Sequence, residues 1–481
     1  MQDRLLNGLK ALSASDMCPM HMPGHKRRTD ALDARLPYGL DITEIDSFDD
    51  LHSRLWDTSE AGYLHDMAAL AASMYGCPYA FPLVGGSTVG ILAAVRAVAV
   101  KTGADELIMA RNCHKSVYHA VELNRMTPRF LYPSETVIGI SRAVTPDEVR
   151  ACLDAHPACR LVVLTSPTYE GVISPVADIG RVVHERGGYL LVDAAHGAHL
   201  PFASRASCFE GADLAVVSLH KTLPALTQTA LLLGVSDRVE PWRVARELGV
   251  FETSSPSYPL MASMEACLDW VQAHADAFDT YNVELSRLRA SLRAMTRLSL
   301  FETESGYDAG KLVIGTSGAG MTGKQLAVRL REEYGIEVEM AAPHYVIAMT
   351  SVCDVLPMKH DGATPFERLR SALMAIDGQG ERAELDPLPA NAGSIPVRVC
   401  RADEALGTWD GKTYCSLEHA EGRIAACYLW AYPPGVPLVI PGERLDADML
   451  ARLVGYEHAG IEVRCVGGDG ALPDRIPVLA E

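Results

Sequence analysis

The chain has 481 residues, 48% of them hydrophobic, with a formal net charge of −18 and a pI near 5.3. Such a length holds about two to four domains with sizeable cores, and the mean hydropathy of +0.06 fits a soluble globular protein. The acidic balance makes nucleic acid and anionic membrane surfaces poor partners, and no apolar run approaches the roughly 18 residues that span a bilayer.

The 12 cysteines are scattered from Cys18 to Cys465 without a CxxC pair. That matches neither zinc spacing nor a small disulfide framework, so reduced thiols in a cytoplasmic setting are expected. The opening Met1-Gln2-Asp3-Arg4-Leu5-Leu6 carries an acid and starts a helix-like pattern, unlike a secretory leader.

Residues 1–60 read as an N-terminal arm. Leu5, Leu6, Leu9 and Leu12 form a helical apolar stripe, followed by the turn Met20-His21-Met22-Pro23-Gly24-His25-Lys26. Pro23 and Gly24 forbid the regular helix that would place both histidines on one face, so no metal site is expected. The acidic stretch Asp41-Ile42-Thr43-Glu44-Ile45-Asp46 and Asp49-Asp50-Leu51-His52 suits either a surface or a cationic ligand.

A large domain is expected over 61–285, with strand-like and helix-like segments alternating from about 61 to 235. Strands are expected at 79–84, 105–109, 128–132, 161–165, 189–193, 213–217 and 229–233, with a helix over 89–100. This alternation predicts an α/β domain with a mostly parallel sheet. Residues 237–300 look mainly helical. A smaller α+β domain is expected over 286–378, with strands at 311–315 and 345–352 and helices at 322–334 and 366–376. A Gly/Pro/Glu/Ala-rich linker follows at 379–391, then a last α+β domain at 392–481.

Several polar groups stand at the ends of these strands. Gly85-Gly86-Ser87-Thr88 joins a strand to a helix, which suits either a helix cap or a phosphate held by backbone N–H groups and hydroxyls. It is neither GxGxxG nor a P-loop, which counts against a dinucleotide or ATP. Asn112-Cys113-His114-Lys115-Ser116 opens a helix after a strand, so His114 either caps it or walls a flat aromatic ligand. Asp193 ends an apolar strand, either as a cap or as an acid facing a ligand crevice. Ser218-Leu219-His220-Lys221 ends the next strand, and Lys221 is either a surface amine or a reactive one. The hydroxyl-rich Thr253-Ser254-Ser255-Pro256-Ser257-Tyr258 is a helix cap at least and a second phosphate contact at most. Pyridoxal phosphate would use all of these features together, with a lysine for its aldehyde, an acid for its ring nitrogen and donors for its phosphate.

The order of these motifs resembles the Orn/Lys/Arg decarboxylase family of bacterial fold-type-I pyridoxal-phosphate enzymes. The resemblance covers nearly the whole chain. It is carried by His21-Met22-Pro23-Gly24-His25-Lys26, Asp49-Asp50-Leu51-His52, Gly86-Ser87-Thr88, Asn112-Cys113-His114-Lys115-Ser116 and Val192-Asp193-Ala194-Ala195-His196-Gly197-Ala198-His199. Further along it rests on Ser218-Leu219-His220-Lys221-Thr222-Leu223-Pro224-Ala225-Leu226-Thr227-Gln228, on Thr253-Ser254-Ser255-Pro256-Ser257-Tyr258, and on Tyr432-Pro433-Pro434-Gly435-Val436-Pro437 with Pro441-Gly442-Glu443. Ser-x-His-Lys is the most specific of these segments.

The resemblance implies a fold-type-I large domain and decarboxylation of lysine, ornithine or arginine to the amine used in polyamine biosynthesis. It implies Lys221 as the Schiff-base lysine, Asp193 as the partner of the pyridine nitrogen and His114 as the group stacked on the ring. Ala195 would lie near the other ring face, and Ser87, Thr88, Ser218 and His220 would hold the phosphate. Ser166 would approach the phenolic oxygen. Thr253 would reach the phosphate of a neighbouring subunit, which implies a homodimer or a higher homo-oligomer. Glu443 and acids of the arm are candidates for the substrate's distal cation. The chain departs from the usual pattern at Gly85, where many members have Asn, and at Leu219, where many have Thr or another small residue. Residues 53–63 depart further, and the N-terminal wing of the long members is lacking. The rival activities are an aminotransferase or another lyase, or cofactor binding without catalysis. A transaminase usually grips the α-carboxylate with an arginine, for which the small domain offers Arg329 and Arg331 without a clear motif.

Overall fold

Seven strands, among the described residues, build the sheet on which the chain's polar strand ends are displayed. The computed structural model describes residues 18–22, 24, 26, 63–205, 207–254, 256–303, 306–358, 362–383, 385, 396–407, 411–431, 435–466, 469–471 and 475–480. Strand β1 is Cys18–Met20, and the large sheet comprises β2 Tyr79–Leu83, β3 Glu106–Ala110, β4 Thr127–Leu131, β5 Leu161–Thr165, β6 Tyr189–Asp193, β7 Leu214–Val217 and β8 Ala230–Gly234. Each large-sheet strand lies within one residue of its expected position at every common end. The spatial order is β2-β8-β7-β6-β5-β3-β4, and only β8 runs against its neighbours.

The central strands are short runs of Leu, Val and Ala, with β7 and β8 buried throughout. A strand apolar on both faces needs cover on both, and that is why helices pack on each side of a parallel sheet. The helix Gly86–Thr102 provides one such cover and starts three residues earlier than the expected 89. Gly86 takes φ of 72°, so the chain turns directly into the helix and Ser87 and Thr88 occupy its first turn. Gly90 lets this helix lie close, because a Cβ there would meet Leu83 Cδ1 at 2.7 Å and Val216 Cγ1 at 3.0 Å. The 237–300 segment forms helices Pro241–Phe251, Tyr258–Ala273 and Ala275–Leu292.

The smaller unit contains β9 Ser299–Leu300, β10 Lys311–Gly315, β11 Ile336–Val338, β12 Met340–Ala341 and β13 Tyr345–Met349. Its antiparallel sheet has the order β12-β13-β10-β9, while β11 pairs in parallel with β1 of the N-terminal arm. Helices Gly323–Tyr334 and Pro365–Asp377 are both opened by capping boxes, Thr322 with Gln325 and Thr364 with Glu367. Within the linker stretch, the N–H groups of Ala383 and Leu385 donate to Gly318 and Ser317 carbonyls.

The C-terminal portion has its own core around Leu429, Val439, Leu453, Val463 and Ile476. It is fastened to the large domain by Arg111, whose guanidinium donates to the carbonyls of Pro437 at 2.6 Å and Leu438 at 3.1 Å.

Candidate active site

Lys221 comes from a one-turn helix, Leu219–Thr222, that follows β7 directly. Leu219 and Leu223 are fully buried and anchor both ends of that turn, which leaves the Lys221 amine half-buried at the sheet's edge. Its Nζ lies 3.0 Å from His196 Nε2. Burial pushes the amine below the ordinary lysine range, and Lys311 adds to this, while Asp193 and Glu339 pull the other way. An amine so placed spends more time unprotonated, as a nucleophile requires.

Asp193 is the last residue of β6 and is 3% exposed. It pairs in register with Thr165 of β5 and Val216 of β7, so it stands at the carboxyl edge of the sheet between two strand ends. Its Oδ1 accepts the Ala195 N–H at 3.2 Å. Burial pushes the carboxyl up, against the opposing pull of Lys221 and the Ala195 N–H. A buried acid of this kind is stabilised by a cation close by.

The Ser87 and Ser218 hydroxyl oxygens lie 2.5 Å apart. Ser87 belongs to the first turn of Gly86–Thr102, whose N-cap position, Gly85, offers no side-chain bond. The helix's leading N–H groups are therefore left for another acceptor. Thr88 is exposed beside them. His220 is buried and its Nδ1 donates to the Thr229 carbonyl at 2.8 Å, which ties the ring to the start of β8. Ser166 is fully buried, and its Oγ accepts the Ser174 N–H at 3.1 Å. Ala195 is buried, and its carbonyl accepts the Ser218 N–H. Thr253 is exposed on the loop after Pro241–Phe251.

His114 caps helix Lys115–Leu123, with Nδ1 accepting from the Ser116 N–H and lying 2.9 Å from its hydroxyl. Burial, and next the charge of Lys221, push its imidazole down to about 3. An unfolded chain protonates this ring near pH 6.5, so from about 6.5 toward 3 the unfolded state binds the extra proton. His114 is therefore expected to cost no stability above that window and to lower it progressively as pH falls inside it. Urea midpoints at about pH 7, 6 and 5 check this, and His114→Phe should show a shallower loss than the parent chain.

Three features of the site were not legible from local sequence. The first is Gly24, whose N–H donates to the His220 carbonyl at 2.7 Å. A Cβ at Gly24 would lie 2.6 Å from Leu223 O and 2.7 Å from Thr222 C, so the arm presses on the backbone just after Lys221. Gly24→Ala is expected to destabilise the fold by about 1–3 kcal/mol. Denaturant unfolding measures this, and an unchanged midpoint would refute the contact. The second is Glu252, which accepts the N–H groups of Val84 at 3.1 Å and Gly85 at 2.9 Å. A Cβ at Gly85 would meet Val89 Cγ2 at 2.4 Å and Glu252 Oε2 at 3.1 Å, so the missing side chain makes room for this carboxylate. The third is His196, buried beside Lys221.

Some expectations fall elsewhere. Glu443 is 1% exposed, accepts the Ile440 N–H at 2.8 Å and pairs with Arg111 at 3.4 Å. It is a clasp of the C-terminal domain, and its charge is already met within its own chain. Arg329 and Arg331 pair with Glu333 and Glu337 at the surface, which removes the support for a transaminase-type carboxylate grip. His25, the acids of 41–50, the segment 51–62 and Tyr432-Pro433-Pro434 lie outside the described residues.

Comparison with known proteins agrees with this geometry. The chain matches the family model of the Orn/Lys/Arg decarboxylase major domain over residues 8–299 and that of the family's C-terminal domain over 401–458. It is 29% identical to an arginine decarboxylase of Halalkalibacterium halodurans, across 96% of this chain and 95% of that one. It is 33% identical to an uncharacterised Bacillus subtilis protein, across 90% of each. The constitutive lysine decarboxylase of Escherichia coli shares the fold with a TM-score of 0.72 at 18% identity, covering 93% of this chain and 76% of that one. The fold is accordingly that of the fold-type-I pyridoxal-phosphate enzymes. With the family model spanning more than half its length, the chain belongs to the Orn/Lys/Arg decarboxylase family of amino-acid decarboxylases.

Proposed function

We propose that the protein decarboxylates a basic amino acid to its amine and CO2 with pyridoxal 5'-phosphate bound at Lys221. Arginine leads lysine and ornithine as the substrate, since the full-length relative from Halalkalibacterium halodurans is named an arginine decarboxylase. The observation that carries the reading is the convergence of Lys221, Asp193 and the Ser87–Ser218 pair at the carboxyl ends of β2, β6 and β7, where open α/β sheets bind ligands.

The donor set fits the cofactor. An uncapped helix N-terminus and two facing hydroxyls suit a phosphate, a buried acid suits a protonated pyridine nitrogen, and an amine depressed by burial suits an aldehyde. When bound, the cofactor supplies the electron sink for the pair left on Cα as CO2 departs. Asp193 would hold the ring nitrogen's positive charge. Neutral His114 would cover one ring face without adding charge, with Ala195 toward the other. Ser87, Thr88, Ser218 and His220 would hold the phosphate, Ser166 the phenolic oxygen, and Thr253 the phosphate of a second subunit. That last contact makes a homodimer the smallest working unit. Lys221 returns a proton to Cα. The setting is cytoplasmic, the product an amine for polyamine synthesis, and the domain boundaries those read from the sequence.

Purified protein supplied with the cofactor is expected to release CO2 and one equivalent of amine from arginine, lysine or ornithine, tested separately. Keto acid without CO2 would instead assign an aminotransferase.

A further inference from the structure

His114 stands between the end of β3 and the start of helix Lys115–Leu123, where it is the N-cap residue. Its ring can be placed no better than the first turn of that helix. The side chain of His114 accepts the Ser116 N–H. The Lys115 N–H has no acceptor within its own helix and donates to the Gly435 carbonyl of the C-terminal portion at 3.1 Å. Further along, His119 meets the Tyr428 and Trp430 rings edge-on at 6.1 and 6.0 Å, and the Tyr428 hydroxyl donates to Glu122 at 3.1 Å. One face of the helix is thus laid on the C-terminal portion.

Arg111 fixes the other side of His114. Its Nη1 donates to the Pro437 carbonyl at 2.6 Å and to the Tyr118 hydroxyl at 3.0 Å, while Nη2 donates to the Leu438 carbonyl at 3.1 Å and to Glu443 at 3.4 Å. The Tyr118 hydroxyl donates back to the Arg111 carbonyl at 2.5 Å, and the Arg111 N–H donates to the Leu131 carbonyl of β4 at 2.8 Å. One side chain thereby joins the strand end, the helix one turn beyond His114, and the C-terminal portion. A planar fork of donors can serve these acceptors together, which a single ammonium cannot. Glu443 is held in turn, because its Oε2 accepts the Ile440 N–H at 2.8 Å. The C-terminal portion therefore grips the chain on both sides of His114, at Arg111 and at Lys115.

We propose that Arg111 and Glu443 are positioning residues for His114, through which the C-terminal portion sets one wall of the cofactor site. The inference rests on the decarboxylase reading, in which His114 covers the cofactor ring. Both residues act through the backbone of 111–115 and not on the ligand.

In the holoenzyme, Arg111→Lys keeps the charge but loses the fork, and Glu443→Gln keeps the shape but loses the charge. Each is expected to lower kcat roughly tenfold, less than the hundredfold of a misplacement by about 1 Å. KM should stay within about twofold, since uniform binding is untouched. The visible circular dichroism of the bound cofactor, which reports how the ring is held, should weaken alongside. The deciding measurement is a double-mutant cycle. In a His114→Ala background no ring remains to be placed, so adding either substitution should change kcat by less than about twofold. Equal losses with and without His114, or parental kcat and dichroism in both single variants, would overturn the proposal. Tyr118→Phe guards against a failure to fold, because it deletes only the hydroxyl between Arg111 and the helix. It should show a smaller loss of kcat that likewise disappears with His114→Ala. If the parent protein binds the cofactor but releases no CO2, the decarboxylase reading fails separately, and the dichroism still tests the positioning.

Discussion

Replacing Lys221 by alanine is expected to lower CO2 release by about 10⁴-fold or more, the scale on which enzymes lose a covalent nucleophile. The fold should survive the change. Lys221 is a half-buried amine whose burial disfavours its charge, so its removal takes away an electrostatic cost along with some packing. Its one-turn helix is anchored by Leu219 and Leu223, which are untouched. Borohydride reduction followed by mass spectrometry of peptides locates the covalent link: the parent chain should carry the cofactor's mass on Lys221, and the variant on no residue. Amine production by Lys221→Ala at the parent rate would defeat the entire assignment.

The second large effect is expected at Asp193. Changing it to Ala removes the buried carboxylate proposed to balance positive charge on the cofactor's ring nitrogen, and should cost on the order of 10²–10³-fold in kcat, as for loss of one preorganised electrostatic contact. Asp193→Asn should be nearly as damaging, because the amide preserves shape but supplies no charge. Stability should move the other way. Burial raises the affinity of Asp193 for protons, so at neutral pH the folded chain without ligand bears the burden of a desolvated charge. The alanine variant without cofactor should therefore unfold no earlier than the parent. A variant that keeps its kcat would show that Asp193 merely caps the turn at Ala195.

The large sheet was readable because its strands are short apolar runs bounded by polar residues, and the polar residues at their carboxyl ends make up the proposed site. Asp193, Lys221 and Ser218 all follow uninterrupted buried residues. What escaped were residues whose partners lie far off in sequence. Glu443 looked like a substrate acid from its motif, yet its partner Arg111 is 332 residues away. Glu252 sits at an ordinary helix end, and only the fold shows it under the Gly85 turn. His196 belongs to a recognisable motif, but its meaning depends on where the Lys221 side chain reaches. The first turn of Gly86–Thr102 was misplaced because a glycine at φ of 72° can begin a helix where local rules read a loop.

The contacts of Gly24 also constrain the order of assembly. The segment around it pairs with Ile336–Val338 through β1, its carbonyl accepts the Ser351 hydroxyl, and Lys26 donates to the Met349 carbonyl at 2.6 Å. This segment thus finds its partners only after some 300 further residues have been made, as the Lys26–Met349 separation of 323 residues shows. Contacts that close such long loops form late in folding. On the ribosome, the turn bearing Lys221 would emerge with β7 and β8 but wait, unbraced, for the smaller unit to bring the arm back. Bracing of the Lys221 turn is then a late event, coupled to formation of the smaller unit.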